Sequence, residues 1–198
     1  MSDLADRLFG AARYERVRLA KMAGLVSGRK ILDVGYARRP NETLLGDGRH
    51  ITGLDLRVPE GPSGYDAEVV GNVFDVGELA PGPYDTIVAA EFIEHVENPF
   101  ELVRTLRDQL GPDGRLILST PNPLSFPVVA FELVRNRRRF YSPAHLYYFA
   151  PRWVEKILTD CDMTVTDVVS VGLWPYALPC PVGLSYQVIY VATPDSPA

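Results

Sequence analysis

Residues 30–56 read KILDVGYARRPNETLLGDGRHITGLDL and contain two apolar runs, each of which reaches an acid near its end. The first run leads into Asp33-Val34-Gly35, and the second reaches Asp55 twenty residues after that glycine. A strand, a glycine turn, a helix and a strand ending in an acid are typical of the nucleoside-binding half of an α/β domain. The glycine allows backbone to approach a ligand, and Asp55 is placed to accept both hydroxyls of a ribose.

The turn after Gly35 does not follow the dinucleotide pattern. A pyrophosphate turn needs the glycines of G-x-G-x-x-G, whereas this chain continues Tyr36-Ala37-Arg38-Arg39-Pro40. This departure disfavours NAD or FAD and leaves an adenosyl ligand without a pyrophosphate, with S-adenosylmethionine (SAM) as the first candidate. An ordinary turn of an α/β domain remains the alternative on these residues alone.

The composition indicates a soluble globular chain. It has 198 residues, 46% of them hydrophobic and 23% charged, enough for one α/β domain with a sizeable core. The net charge of −5 argues against nucleic acid as a partner. No apolar run is long enough for a membrane span, and the charged N-terminus is unlike a signal peptide, so we expect a cytoplasmic location. Cys161 and Cys180 are isolated, which fits a reducing compartment.

The apolar pattern predicts a Rossmann-like α/β fold in one domain over residues 1–198. Seven strands alternate with helices, so the sheet should be mostly parallel, with helices on both faces. Since no helix separates the last two strands, the last strand should be antiparallel. Residues 1–28 hold a predicted N-terminal helix (3–26), and Asn98, Pro99 and Glu101 mark the start of another helix. We predict strands at 30–35, 50–56, 67–71, 84–90, 115–120, 163–171 and 186–192.

Four segments of the chain resemble the class I SAM-dependent methyltransferases, closest to the ubiquinone-biosynthesis-like branch and to the type 11 and 23 methyltransferases. They are ILDVG (31–35), GLDL (53–56), YDTIVAAEFIEHVENP (84–99) and LGPDGRLILSTPNP (110–123). The family usually continues its first motif as D-x-G-x-G-x-G, with small residues between the glycines. Here Tyr36 and Arg38 replace the expected small residues, and the later glycines are missing. The resemblance implies SAM as cofactor and S-adenosylhomocysteine as product.

The same resemblance implies which residues hold the cofactor. Asp33 and Gly35 border its methionine and ribose, Asp55 takes the ribose hydroxyls, and Leu56 packs on the adenine. Asn72 accepts from the exocyclic amine of the adenine, with Asp75 as the alternative acceptor or as a helix N-cap. The full implied set is Asp33, Gly35, Tyr36, Asp55, Leu56, Asn72, Val73, Phe74, Ala90, Glu91 and Phe92.

Two of the three histidines are candidates for chemistry, because imidazole titrates near neutral pH and suits a general base. His95 follows the fourth strand and is either a base or a structural hydrogen-bonding group. His145 follows the fifth strand and is predicted to be a base or to orient the acceptor. His50 begins the second strand at its opposite edge and is predicted to lie at the surface. The sequence shows no His, Asp and Glu cluster at metal-ligand spacing, so no metal is predicted.

Residues 121–150 interrupt the standard fold after the fifth strand and are predicted to form an acceptor lid. Its aromatic residues could form an apolar wall. Its arginines could bind an anionic group on the acceptor or could simply be a solvated helix end. These residues are Phe126, Phe131, Phe140, Tyr141, Tyr147 and Tyr148, with Arg135, Arg137, Arg138 and Arg139.

The predicted function is therefore methyl transfer from SAM to a small-molecule acceptor at oxygen, such as a sugar, a glycolipid precursor or a secondary-metabolite intermediate. The alternatives are N-methylation of a small molecule, protein or RNA, and a non-catalytic protein that keeps the fold to bind a partner. The sequence leaves the choice between a monomer and a homodimer open.

Overall fold

The computed structural model describes residues 11–46, 48–135 and 144–195. Short 3-10 helices lie at Glu42–Leu44, Val73–Asp75, Ile93–His95 and Val182–Leu184. The α-helices are α1 (Ala11–Leu25), α2 (Val76–Leu79), α3 (Pro99–Arg107), α4 (Phe126–Arg135) and α5 (Pro151–Thr159). The strands are β1 (Lys30–Val34), β2 (His50–Asp55), β3 (Ala67–Val70), β4 (Tyr84–Ala90), β5 (Leu110–Pro121), β6 (Met163–Ser170) and β7 (Gln187–Pro194).

The seven strands form one sheet in the order β3-β2-β1-β4-β5-β7-β6. Strands β1 to β5 pair in parallel, and β7 is antiparallel to both β5 and β6. The predicted seven-stranded Rossmann-like sheet with an antiparallel last strand is thus confirmed. The order reverses at β1, which lies between β2 and β4, so a crevice opens at the carboxyl ends of these strands.

Helices cover both faces of the sheet. Alternate residues of each buried strand point to opposite faces, so each face needs its own apolar cover. On one face Leu32 and Ile87 belong to a large core cluster with residues of α3 and α5. On the other face Ile31 and Val88 pack in a second cluster with Tyr14 and other residues of α1. The helix α1 therefore packs on the sheet of its own chain.

Helix α3 starts as predicted but ends earlier. The side-chain oxygen of Asn98 accepts a hydrogen bond from the amide of Glu101 at 3.1 Å, and Pro99 opens the helix. α3 ends at Arg107, and β5 begins at Leu110 rather than at the predicted residue 115. The added first residues of β5 include Leu110, which pairs with Tyr84 of β4. The register then shifts before the regular pairing of the two strands begins.

The chain also carries no sign of a membrane span in its described part. None of the helices in residues 11–46, 48–135 and 144–195 is long and apolar enough to cross a bilayer.

Candidate active site

The carboxyl ends of β1, β2 and β4 open into a cavity of about 1100 Å³, here called the main cavity. Because the sheet order reverses beside β1, the turns after these strands diverge and leave the crevice between them uncovered. Several of the predicted site residues line it: Asp33, Gly35, Tyr36, Asp55, Ala90, Glu91, Phe92, His95 and His145.

Asp55 and Gly35 shape the part of the cavity predicted to hold the cofactor. Carboxylate oxygen Oδ2 of Asp55 accepts from the amide of Ala37 at 3.0 Å, so the acid at the end of β2 fixes the turn after β1. Gly35 has φ of +75°, and a Cβ there would lie 2.5 Å from the ring of Phe92. Only glycine combines this conformation with so close an approach. The turn is therefore held on one side by β2 and on the other by the loop after β4.

Tyr36 explains how the turn tolerates a bulky residue where the family has a small one. Its side chain is only 2% exposed, so the ring is buried in the protein and little of it faces the main cavity. The ring stacks on Tyr65 with centroids 5.2 Å apart and lies over Gly53, where a Cβ would come within 2.6 Å of it. A contact from Tyr36 to the cofactor would therefore come from its backbone. Gly53 provides the space that the ring fills, and the turn itself stays open.

Asp33 is a buried acid at the end of β1. Its Oδ2 accepts a hydrogen bond from the hydroxyl of Tyr65 at 2.6 Å. Burial raises the pKa of Asp33 to about 7, although the Tyr65 hydroxyl and the charge of Arg18 oppose the shift. The carboxyl therefore titrates near neutral pH beside the predicted cofactor site.

Glu91 sits at the centre of a polar network that sequence reasoning missed. It has φ of +52°, which is rare for a residue with a side chain. Its carboxylate accepts from Ser119 Oγ at 3.0 Å and from Gln187 Nε2 at 2.5 Å, and Arg18 donates to the same Ser119 oxygen at 3.1 Å. Burial raises the pKa of Glu91, and the guanidinium of Arg18 opposes the rise.

Arg18 and Gln187 were missed because each lies far in the sequence from the turns after β1, β2 and β4. Both line the main cavity. The only signals were weak: Arg18 lies at helical spacing between the apolar Tyr14 and Met22 of α1, and Gln187 is a polar residue at the start of the apolar β7.

His95 and His145, predicted to follow the fourth and fifth strands, both line the main cavity, and the structure brings them into contact. Their rings contact edge-on with centroids 4.7 Å apart. Nδ1 of His95 lies 2.9 Å from the carbonyl oxygen of Ala144, so this nitrogen must carry the proton and donate. His50 instead is exposed at the opposite edge and pairs with Asp66 at 3.5 Å, in agreement with its predicted surface position.

The fold also creates a cluster that the sequence did not reveal. Donor atoms of Glu94, His95 and His145 lie within 4.8 Å of one another, close enough to share a proton or a small cation. Glu94 and His95 are adjacent, but His145 is fifty residues on, so no spacing rule predicts the group. The expectation that no His, Asp and Glu cluster exists is corrected to this extent.

The residues predicted to hold the adenine lie beside the main cavity rather than in its lining. Leu56 is 72% exposed, and Val73 is buried in the core. Asn72 caps the 3-10 helix after β3, its oxygen accepting from the amide of Phe74 at 3.2 Å. Asp75 stands at the N-cap position of α2 without a side-chain capping bond.

The predicted lid divides between two hollows. From residues 121–150, Ala144 and His145 line the main cavity. Tyr147 and Tyr148 line a separate aromatic hollow of about 560 Å³, together with Phe100 and Trp153. Phe126 on α4 is 68% exposed. Phe140, Tyr141 and Arg137 to Arg139 lie outside the described residues, as does any description of the side chains of Phe131 and Arg135.

Comparison with known proteins identifies the family. A family model described as a methyltransferase domain matches residues 5–168. The chain is 27% identical over 192 residues to the ubiquinone biosynthesis O-methyltransferase of Pseudomonas savastanoi pv. phaseolicola, covering 88% of this chain and 80% of that protein. It is 34% identical over 108 residues to the enzyme of the same name from Xylella fastidiosa strain M23, covering 49% and 44%.

Solved structures share the fold at low sequence identity. The SAM-dependent methyltransferase and possible histamine N-methyltransferase of Thermotoga maritima has a TM-score of 0.71 at 14% identity, covering 98% of this chain and 95% of that one. The 1,6-didemethyltoxoflavin N1-methyltransferase of Burkholderia thailandensis has a TM-score of 0.63 at 16% identity, covering 90% and 78%. The latter structure contains S-adenosylhomocysteine.

The residues present fit this cofactor. The glycine cradle at Gly35 and the acid at Asp55 suit the methionine and ribose parts of a nucleoside ligand. The buried cation Arg18, the buried carboxyl of Asp33 and the half-buried carboxyl of Glu91 supply polar partners for an amino acid group. The family that matches the sequence and the arrangement of the cavity residues therefore agree. The chain belongs to the class I SAM-dependent methyltransferases and is an enzyme of that family.

Proposed function

We propose that the enzyme transfers the methyl group of SAM to a hydroxyl oxygen of a small-molecule acceptor. SAM supplies a methyl group on a sulfonium leaving group. As the carbon–oxygen bond forms, the carbon–sulfur bond breaks and the sulfur keeps the electron pair. The acceptor oxygen must lie in line with the methyl carbon and the sulfur, and the hydroxyl proton must leave, so an oxygen acceptor benefits from a base that contacts the hydroxyl.

One observation carries the choice of oxygen, namely a neutral imidazole in the same cavity as the cofactor residues. Burial lowers the pKa of His145, and the neighbouring His95 lowers it further. At neutral pH His145 is therefore uncharged and able to take a proton. Relatives with 26–27% identity over most of the chain are named O-methyltransferases, which supports the same choice. An amine acceptor in its free-base form would need no such group.

The cofactor site is tested by binding. S-adenosylhomocysteine is titrated calorimetrically into the wild type and into Asp55→Ala. Loss of the ribose acceptor and of the bond that fixes the turn at Ala37 should weaken binding at least about tenfold, equivalent to about 1.4 kcal/mol. Asp113→Ala is the matched control, because Asp113 is exposed and does not line the main cavity. Equal affinity in the wild type and Asp55→Ala would contradict the proposed site.

The acceptor atom is tested by turnover. Purified enzyme is incubated with methyl-labelled SAM and pairs of small molecules that differ only in a hydroxyl or an amine at one position. Label transfer to the hydroxyl member, reduced in His145→Gln, supports the proposal. Transfer to the amine member alone would contradict it and indicate an N-methyltransferase.

A further inference from the structure

Glu94 is a buried carboxyl that the proposed methyl transfer does not use. Its side chain is 1% exposed, and neither carboxylate oxygen makes a hydrogen bond of ordinary geometry among the described residues, although the Thr120 hydroxyl, also without a partner there, is close enough to lower the pKa of the carboxyl. An unpaired buried carboxyl costs free energy, so a group of this kind persists where something else uses it. It lies in the 3-10 helix that follows β4, one residue before His95.

The backbone ties Glu94 to His145. The carbonyl oxygen of Glu94 accepts from the amides of Leu146 at 2.8 Å and of Tyr147 at 3.3 Å. These bonds hold the segment after residue 143 against the loop after β4. A ring nitrogen of His145 is thereby brought within 4.8 Å of a carboxylate oxygen of Glu94. Nδ1 of His145 is also buried and has no hydrogen-bond partner in the described part of the chain.

Burial, reinforced by one neighbouring group in each case, leaves both partners uncharged at neutral pH. Burial and then the charge of Glu91 raise the pKa of Glu94 to about 8, while Thr120 and Arg18 act in the opposite direction. Burial and His95 lower the pKa of His145. The groups that face the pair are Arg18 on α1, Glu91 and His95 after β4, Thr120 on β5, Tyr148, and Tyr186 before β7.

We propose that Glu94 is a positioning residue for His145, its carboxylate accepting a hydrogen bond from Nδ1–H so that Nε2 is left to take the acceptor proton. The inference rests on the proposed function, in which His145 is the base. The hydroxyl proton moves to Nε2 and the ring becomes an imidazolium. Above pH about 8, where Glu94 is ionised, its carboxylate stabilises that charge without taking the proton. The separation of up to 4.8 Å has to shorten once ligands are bound, as catalytic hydrogen bonds commonly do.

The first test needs no acceptor, so its failure is distinguishable from failure of the proposed function. The chain has three histidines, and ¹⁵N-histidine labelling gives three imidazoles whose nitrogen shifts are followed from pH 5 to 10 with S-adenosylhomocysteine bound. In the wild type His145 should show a step near pH 8 as Glu94 ionises. Glu94→Gln should remove the step, and Glu97→Gln, which changes an exposed carboxyl three residues away, should keep it.

Identical His145 titrations in the wild type and Glu94→Gln would overturn the proposal. A change of the His145 signals by EDTA, restored by a divalent metal, would overturn it too, since the cluster would then hold a metal ion. Once an acceptor is found, kcat of the wild type should rise through pH about 8, and Glu94→Gln should lose about 10- to 100-fold at high pH with SAM affinity unchanged. Glu94→Asp should restore part of the rise, whereas a merely structural Glu94 would leave the pH profile of Glu94→Gln like that of the wild type.

Discussion

Replacing Gly53 by alanine tests the account of the altered turn after β1. Gly53 lies inside β2, where an ordinary side chain meets no backbone strain. The added Cβ would lie 2.6 Å from the ring of Tyr36, whereas ordinary contacts begin at about 3.4 Å. The ring cannot retreat, because Tyr65 stacks on it with centroids 5.2 Å apart.

An overlap of about 0.8 Å therefore has to be relieved by β2 or by the turn. Overpacking of this kind costs about 1–3 kcal/mol. A loss of about 2 kcal/mol would lower the melting temperature by about 4–8 °C in a domain of this length. Movement of the turn also stretches the bond between Ala37 and Asp55, so affinity for S-adenosylhomocysteine should fall with stability.

The assay is urea unfolding of the wild type and Gly53→Ala, with calorimetric titration of S-adenosylhomocysteine into both. Gly24→Ala is the matched control, since it makes the same change in α1 with nothing within 4 Å of the new atom. That variant should gain about 0.5–1 kcal/mol, because alanine favours the helix.

A double-mutant cycle isolates the contact between Gly53 and Tyr36. In a Tyr36→Ala background, itself destabilised by about 3–5 kcal/mol, Gly53→Ala should cost almost nothing, which gives a coupling of about 1–3 kcal/mol. A Gly53→Ala protein as stable as the wild type, or a coupling below about 0.5 kcal/mol, would refute the packing of Tyr36 under the turn.

Three further substitutions test the buried acid at the end of β1, the N-cap of α3 and the glycine of the turn after β1. Folded Asp33 keeps its proton up to pH about 7, whereas the unfolded chain releases it near pH 4. The free energy of unfolding should therefore fall as the pH rises between these two values. In urea unfolding, Asp33→Asn should remove up to about 1.4 kcal/mol per pH unit of that slope. Asn98→Ala should cost about 1 kcal/mol of unfolding free energy by removing the cap at Glu101. Gly35→Ala should cost more than about 1 kcal/mol through its positive φ and the Phe92 ring, with loss of S-adenosylhomocysteine binding by calorimetry.

Most of the sheet was predictable because buried parallel strands are continuous apolar runs. The strand at 84–90 agrees with β4 to the residue. The start of β5 was not predictable, since its first residues, Leu110 to Gly114, read as a glycine turn. In the structure a Cβ on Gly114 would lie 2.8 Å from the carbonyl oxygen of Tyr84. The glycine here permits close approach of two strands, which composition alone does not separate from a turn.

The candidate site was predictable where it depends on strand ends and not where it depends on distant elements. Asp55, Glu91 and His145 gather at one cavity because they follow strands whose carboxyl ends share an edge. Arg18 reaches the same cavity from α1, and no local pattern relates it to β4 or β7. The adenine residues Asn72 and Val73 came from resemblance, which conveys their place in the chain but not the packing around them.

Tyr36 and Glu94 show why a departure from a family pattern needs the structure to interpret it. A bulky residue beside the glycine turn suggests a weakened cofactor site, but the ring turns away and occupies the space that Gly53 leaves. The cavity stays open, because the larger residue in the turn after β1 is matched by a glycine in β2. Glu94 has the opposite character, since it matches the family motif and yet lies buried and unpaired among the described residues. A feature that keeps an energetic cost without a packing benefit is better explained by chemistry than by stability.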